Sequence, residues 1–225
     1  MDNNQHKFQT TGKFHLDLDR VKTDALEMGG MVESQLYNAM GLIKKRNDLL
    51  ATKIIENDIK INLLEKKIDD FSCKVIAKYQ PMASDLRLLV AIIKVIANLE
   101  RIANTVTNIA QSSKDGFFDD LPETLILMIW KLTNHTLDIL TYSLNSFARM
   151  EFSQDLSLPY KYNLLQSEYE DVIKSLQKTV KIDLAYLENV THIFILAREI
   201  KRITNRCKEI MYYLHYVVTG VDLRF

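Results

Sequence analysis

Residues 80–110, QPMASDLRLLVAIIKVIANLERIANTVTNIA, constrain the fold more than any other stretch. Leu88, Ile92, Val95, Leu99, Ile102, Val106 and Ile109 recur at steps of four and three, the spacing of one apolar seam on an α-helix. A second apolar row, Leu86, Leu89, Ile93, Ile96 and Ala103, runs beside it and is interrupted by Glu100, an acid where the pattern expects a hydrophobe. Lys94, Asn98, Arg101, Thr105 and Asn108 form a third, polar stripe. Two apolar seams and one wet one require cover on two sides, and the smallest answer is a three-helix bundle.

Six glycines and three prolines in 225 residues, with 26% charged residues, argue for long helices and against a turn-rich β protein. Twenty-nine basic residues balance twenty-nine acidic ones, so no global field draws the chain to nucleic acid or to an anionic membrane. Cys73 and Cys207 lie far apart and make no disulfide framework, which suits a reducing compartment. Residues 1–13 are polar with no apolar leader, and the segment from Leu88 to Leu99 is too short and carries Lys94, so neither reads as a signal peptide or a membrane span. The chain is expected to be soluble.

Taken in order, residues 1–13 read as a disordered tail, followed by a helix over 17–46 with Gly29 and Gly30 at a site of close packing or a bend. A short turn at Arg46, Asn47 and Asp48 makes the next helix antiparallel; its seam is Ile54, Ile61, Leu64, Ile68, Phe71 and Val75. It ends near Tyr79, because Pro81 disfavours helical geometry at Gln80 yet suits the first turn of the helix that follows. Residues 112–120 form the connection between halves, and further helices are expected over 122–149, 155–180 and 183–217. Shifting by about one hundred residues sets Ile193, Leu196, Ile200, Ile203, Cys207 and Ile210 under the key seam, with Arg202 under Arg101. The fold is therefore expected to be all-α: two tandem three-helix bundles, over 14–114 and 121–220.

The chemistry is concentrated in one place. Glu100 and Asn104 lie four apart on one helical face, as do Glu65 and Asp69 on the preceding helix. If the two helices pack antiparallel, three carboxylates and an amide oxygen converge, a donor set for a divalent or trivalent cation. Acid pairs at this spacing are also common on solvated faces, and Lys66, Lys67 and Arg101 stand nearby as counter-ions. The histidines His6, His15, His135, His192 and His215 are scattered, and there is no Gly-rich phosphate loop, nucleophile turn or CxxC pair, so the sequence reads as a non-enzyme. Tyr212, Tyr213, Tyr216 and His215 suggest a partner-facing aromatic patch or ordinary packing.

Leu64-Glu65, Ile68-Asp69, Cys73, Ile76-Ala77, QPMASDLR at 80–87 and LERIANTVTNIA at 99–110 together resemble the PhoU family of bacterial phosphate-uptake regulators, over nearly the whole chain. The resemblance implies the six-helix repeat and a cytoplasmic, homodimeric regulator, peripheral at the inner face of the plasma membrane through its partners. These would be the ATPase subunit of a phosphate ABC transporter and a phosphate-sensing histidine kinase, with uptake and signalling restrained when phosphate is ample. Asp85, Arg87 and Arg101 are the residues to test for partner contact. Several family members carry iron or zinc clusters on paired E(D)xxxD motifs, one per half.

On that pattern Glu65, Asp69 and Glu100 match, while Asn104 stands where the family has Asp. A weakened site for iron, zinc or another divalent cation follows for the first half. In the second half the matching positions are Tyr162, Gln166, Lys201 and Asn205, all without a carboxylate, so no metal is expected there. The rival reading is a metal-binding helical bundle, an iron or zinc store or a carboxylate metalloenzyme. A Glu-x-x-His pair would favour it, and none occurs.

Overall fold

The computed structural model describes the backbone of residues 2–119, 121–152, 157–182 and 187–223, and the side chains of 12–119, 121–152, 159–178 and 190–223. Six helices follow one another: α1 (Asp2–Lys44), α2 (Asp48–Tyr79), α3 (Ala83–Lys114), α4 (Glu123–Arg149), α5 (Ser157–Ile182) and α6 (Leu187–Thr219). Among the described residues there is no strand, and no helix is long and apolar enough to cross a membrane.

The helix boundaries follow from local chemistry. Asn47 caps α2, its side-chain oxygen accepting from the Leu50 amide at 3.0 Å. Gln80 takes the left-handed conformation (φ 48°), and its amide donates to the Ile76 carbonyl at 2.9 Å, closing α2 two residues ahead of α3. Gly116 (φ 80°) and Gly220 (φ 78°) supply the same conformation after α3 and α6 at no Cβ cost. The N-terminal stretch departs from expectation: α1 runs back to Asp2, through residues read as a tail. That stretch has no apolar period, but it has no proline and meets no glycine before Gly12, so nothing in it stops a helix begun at the seam downstream. Met1, and the expected starts of α5 at Asp155 and α6 at Asp183, lie outside the described residues.

Each half is a three-helix bundle in which every helix meets the other two. The first core is built from Val21, Met28, Val32 and Leu36 of α1, Ile54, Ile61, Ile68 and Val75 of α2, and the α3 seam from Leu89 to Ile109. The large buried side chains of α2, Ile54, Ile61, Ile68 and Val75, fall at intervals of seven along one seam, with the small Ala51 and Ser72 buried beside them. Leu64 and Phe71, placed by periodicity in the same seam, are only partly buried at its edge. In the second half Ile193, Leu196, Ile200, Ile203, Cys207 and Ile210 are all buried, as the repeat requires.

Two further contacts join the halves, α1 against α4 and α3 against α6. A Cβ on Gly29 would stand 2.7 Å from Leu144 Cδ2, so this glycine marks the close approach of α1 to α4, whereas the space beside Gly30 is open. Thr141 of α4 donates to Glu33 of α1, and the Lys44 ammonium lies 3.6 Å from the centre of the Trp130 ring. α3 therefore has three neighbours, not two. Its polar stripe is not simply wet, because α6 packs alongside it and Asn98, at 4% exposure, is buried with its Nδ2 donating to the Lys94 carbonyl at 3.0 Å.

Candidate functional site: a polar seam between two helices

Asp58, Asn62, Glu65 and Asp69 step by four, three and four and so form one stripe along α2. Glu100, Asn104 and Thr107 form the facing stripe on α3. All seven are half-buried in an interface that is otherwise apolar. Of the α2 acids expected to converge on Glu100, Glu65 faces it: burial, and after it the charges of its helix neighbour Asp69 and of Glu100, raise the Glu65 carboxyl above the ordinary carboxylate range. Asp58 is raised in the same way, by burial and by Glu100, with hydrogen bonds from Asn62 and Thr107 partly offsetting the shift.

Asn104 uses the wrong end of its amide for cation binding. Its Nδ2 donates to Glu100 Oε1 at 2.6 Å, so it stabilises that carboxylate as a hydrogen-bond donor. Opposite it, Asp58 Oδ1 and Asn62 Oδ1 are buried acceptors without a donor, although Asn62 Nδ2 reaches Asp58 Oδ2 at 3.3 Å. Gln35 Nε2 donates to Thr107 Oγ1 at 3.3 Å and to the Ile54 carbonyl at 3.0 Å, tying the seam to α1. The seam is thus rich in acceptors and poor in donors, which is the chemistry of a cation site. Among the described residues, however, no three carboxylate, imidazole or thiolate groups are drawn together tightly enough to hold an ion.

Asp58 and Asn62 are additions to the residues expected from the sequence. Extending the Glu65–Asp69 stripe by two turns toward the N-terminus would have found them.

In the second half the matching positions are dispersed. Lys201 lies with its ammonium 4.5 Å from the centre of the Tyr169 ring, which is therefore the α5 side chain that faces it. Tyr162 sits instead by Cys207 and Tyr212; burial, followed by those two neighbours, pushes its phenol far up, and its hydroxyl has no hydrogen-bond partner. Gln166 is exposed and donates to Glu170 Oε1 at 2.8 Å. Asn205 is exposed beside α3. The α4–α5 contact is polar in its own way: Glu168 is ion-paired with the Lys131 ammonium at 3.0 Å and lies 2.6 Å from His135 Nδ1.

The three residues set aside for partner contact differ. Arg101 is exposed. Asp85 is half-buried in the first turn of α3. Arg87 packs its guanidinium against the end of α6, 3.9 Å from where a Cβ on Gly220 would stand, with Nε buried and unpartnered. Of the C-terminal aromatic group, His215 meets the Phe152 ring edge-on at 4.7 Å, and Lys208 lies 5.6 Å from the Tyr212 ring centre.

Fold and seam together define an all-helical tandem-repeat protein whose acidic inter-helix seam, among the described residues, lies in the first repeat. Residues 25–113, spanning most of that repeat, match the PhoU domain. The chain is 36% identical over 95% of its length, and 88% of the relative's, to the phosphate-specific transport system accessory protein PhoU of Serratia marcescens. It is 34% identical to the protein of that name from Escherichia coli K12, over 95% of this chain and 88% of the other. The crystal structure of PhoU from Pseudomonas aeruginosa superposes with a TM-score of 0.87 at 26% identity, covering 92% of this chain and all of the other. The chain belongs to the PhoU family.

Proposed function

We propose that the chain is an accessory protein of a phosphate transport system, acting as a non-catalytic adaptor between the ATPase subunit of a phosphate ABC transporter and a phosphate-sensing histidine kinase. It restrains uptake and signalling when phosphate is ample. The observation that carries this reading is kinship over the whole length, 36% identity across 95% of the chain, to a relative named for that system. The architecture is compatible with it: two bundles locked by α1–α4 and α3–α6 contacts present long rigid helical faces to partners. Coupling then arises from differential affinity for two partner states. The location that goes with this role is the cytoplasm, at the inner face of the plasma membrane through partners, and the working form is a homodimer.

The test is an affinity pull-down of the tagged chain from detergent-solubilised membranes of phosphate-replete and phosphate-starved cells, with mass spectrometry of what is retained. The expected outcome is recovery of the transporter ATPase or the kinase in amounts that change with phosphate. Recovery of neither under both conditions would sink the adaptor reading.

A second reading, a metal-binding bundle, is favoured by the buried, donorless oxygens of Asp58 and Asn62 in the seam. Glu65, Asp69 and Glu100 would hold iron, zinc or another divalent cation, and Asn104 has an oxygen to offer if its amide gives up the bond to Glu100. Bound there, the ion would supply charge neutralisation between α2 and α3. The Lys201 ammonium makes the second half hostile to any cation. Metal analysis of the purified chain against Glu100→Ala separates the readings. Stoichiometric metal lost in the variant supports a site in the first half, and equal, near-zero content in both leaves the acids as contacts.

A further inference from the structure

α3 and α6 run antiparallel, since Asn108 and Ser112 lie beside His192 while Arg101 lies beside Arg202. Between them a groove opens as two adjoining cavities that share Glu199 as a wall. The first, about 260 Å³, is chiefly apolar, lined by Ile109, Phe117, Phe118, Ile195 and Leu196. Phe117 is stacked on the His192 ring at 3.8 Å, and Ile195 is left 51% exposed. The second, about 360 Å³, gathers Arg101, Arg202 and Arg206 with Glu199 and Glu209. Equivalent positions of the two repeats, Arg101 and Arg202, thus meet in one cleft.

The charges in that cleft do not balance. Arg202 is paired with Glu199 at 2.5 Å and Arg206 with Glu209 at 3.2 Å. Arg101 is exposed and has no ion-pair partner among the described residues. Two carboxylates on the walls would repel a free multivalent oxyanion, and they already satisfy two of the three guanidiniums. One unmatched guanidinium calls for one carboxylate, which a fixed side chain can bring in bidentate geometry. Ile195 and Arg202 are seven residues apart on α6 and Arg206 four further on, so the apolar and basic ends are separated by about 10–16 Å of helix. A third helix laid along the groove would meet both ends at positions about two to three turns apart, in the manner of helix-in-groove recognition.

We infer that the α3–α6 groove is a docking site for a helix of a partner protein, one with a large apolar side chain for the Phe117–His192 cavity and, seven to eleven residues along, an Asp or Glu for Arg101. This rests on the adaptor reading and names the surface and the chemistry of one partner contact. It does not involve the α2–α3 seam.

The test places the photo-crosslinker p-benzoylphenylalanine at Asn108, which is exposed and lines the apolar cavity, in the full chain in its own cells. A second chain carries the probe at Ser167, exposed on α5. The expected product at Asn108 is a segment of helical pattern bearing the apolar and acidic residues at that spacing. The product should be absent from the Ser167 probe and reduced at least tenfold by Arg101→Glu and by Ile195→Ser, both exposed positions whose variants are checked for unchanged helicity. Products that do not respond to either variant, that lack the acidic residue, or that are a second copy of this chain would overturn the inference. If the pull-down retains the transporter ATPase or kinase while Asn108 yields no product, the groove assignment fails and the adaptor reading stands. If neither experiment yields a partner, both fail.

Discussion

A carboxyl group that half-buries beside another carboxylate gains affinity for a proton, and Asp58 and Glu65 both do so against Glu100. In the folded chain these two acids hold protons to higher pH than in the unfolded chain. Their unfavourable contribution is therefore absent below about pH 4, grows as the pH climbs from the ordinary carboxylate value through the raised one, and is complete above it. Asp58→Asn keeps the hydrogen-bonding shape and removes the charge. In the presence of chelator it is expected to raise the melting temperature at pH 7, by no more than roughly 2 °C because solvent screens the half-exposed seam, and to match the wild type near pH 3.5. Thermal melts followed by circular dichroism at the two pH values decide this. A wild type that melts above the variant at pH 7 would show that the carboxylate stabilises the seam.

The two adjacent glycines of α1 separate intrinsic helix preference from packing. Gly30 is exposed with open space beside it, so Gly30→Ala is expected to stabilise by about 0.5–1 kcal/mol, read as a rise of roughly 1–4 °C in melting temperature. Gly29→Ala gains the same preference but must push aside the tip of Leu144, only 2.7 Å from the new Cβ, and is expected to be neutral or destabilising. Equal stabilisation by both would mean that the α1–α4 contact is loose. The sequence announced these elements because helix limits are local: Asn47 and Gly220 each act within a turn of where they stand, whereas Pro81, expected in the first turn of α3, stands two residues ahead of its start at Ala83. Periodicity also told which faces of α3 are apolar. It could not tell that the polar face carrying Arg101, Thr105 and Asn108 would lie beside α6, since polarity marks a face as able to tolerate water and says nothing about what approaches it. The same limit applied to α5. Counting along the chain placed Tyr162 and Gln166 opposite Lys201, but facing residues are set by how two helices slide past each other, and Tyr169 is the one that meets it.

At the scale of the molecule, the offset of about one hundred residues gave the tandem repeat, and the packing makes one body of it. α1 meets α4 and α3 meets α6, each along a substantial length, so the first bundle buries part of its surface only against the second. Loss of the second bundle would expose the Gly29 face of α1 and the α6-facing side of α3, loss of the first the facing sides of α4 and α6, and the two are expected to unfold together. Ile61, buried in the first bundle, and Ile203, buried in the second, test this from opposite ends. Truncating either to Ala removes a fully enclosed side chain and costs about 2–4 kcal/mol, a fall of roughly 4–16 °C in a chain of this size. Differential scanning calorimetry of the wild type should give one transition whose calorimetric and van't Hoff enthalpies agree. In Ile61→Ala and in Ile203→Ala that single peak should move as a whole. A trace that splits, with one peak shifted by Ile61→Ala and the other by Ile203→Ala, would mean that the bundles fold independently and that the α3–α6 groove can open between them.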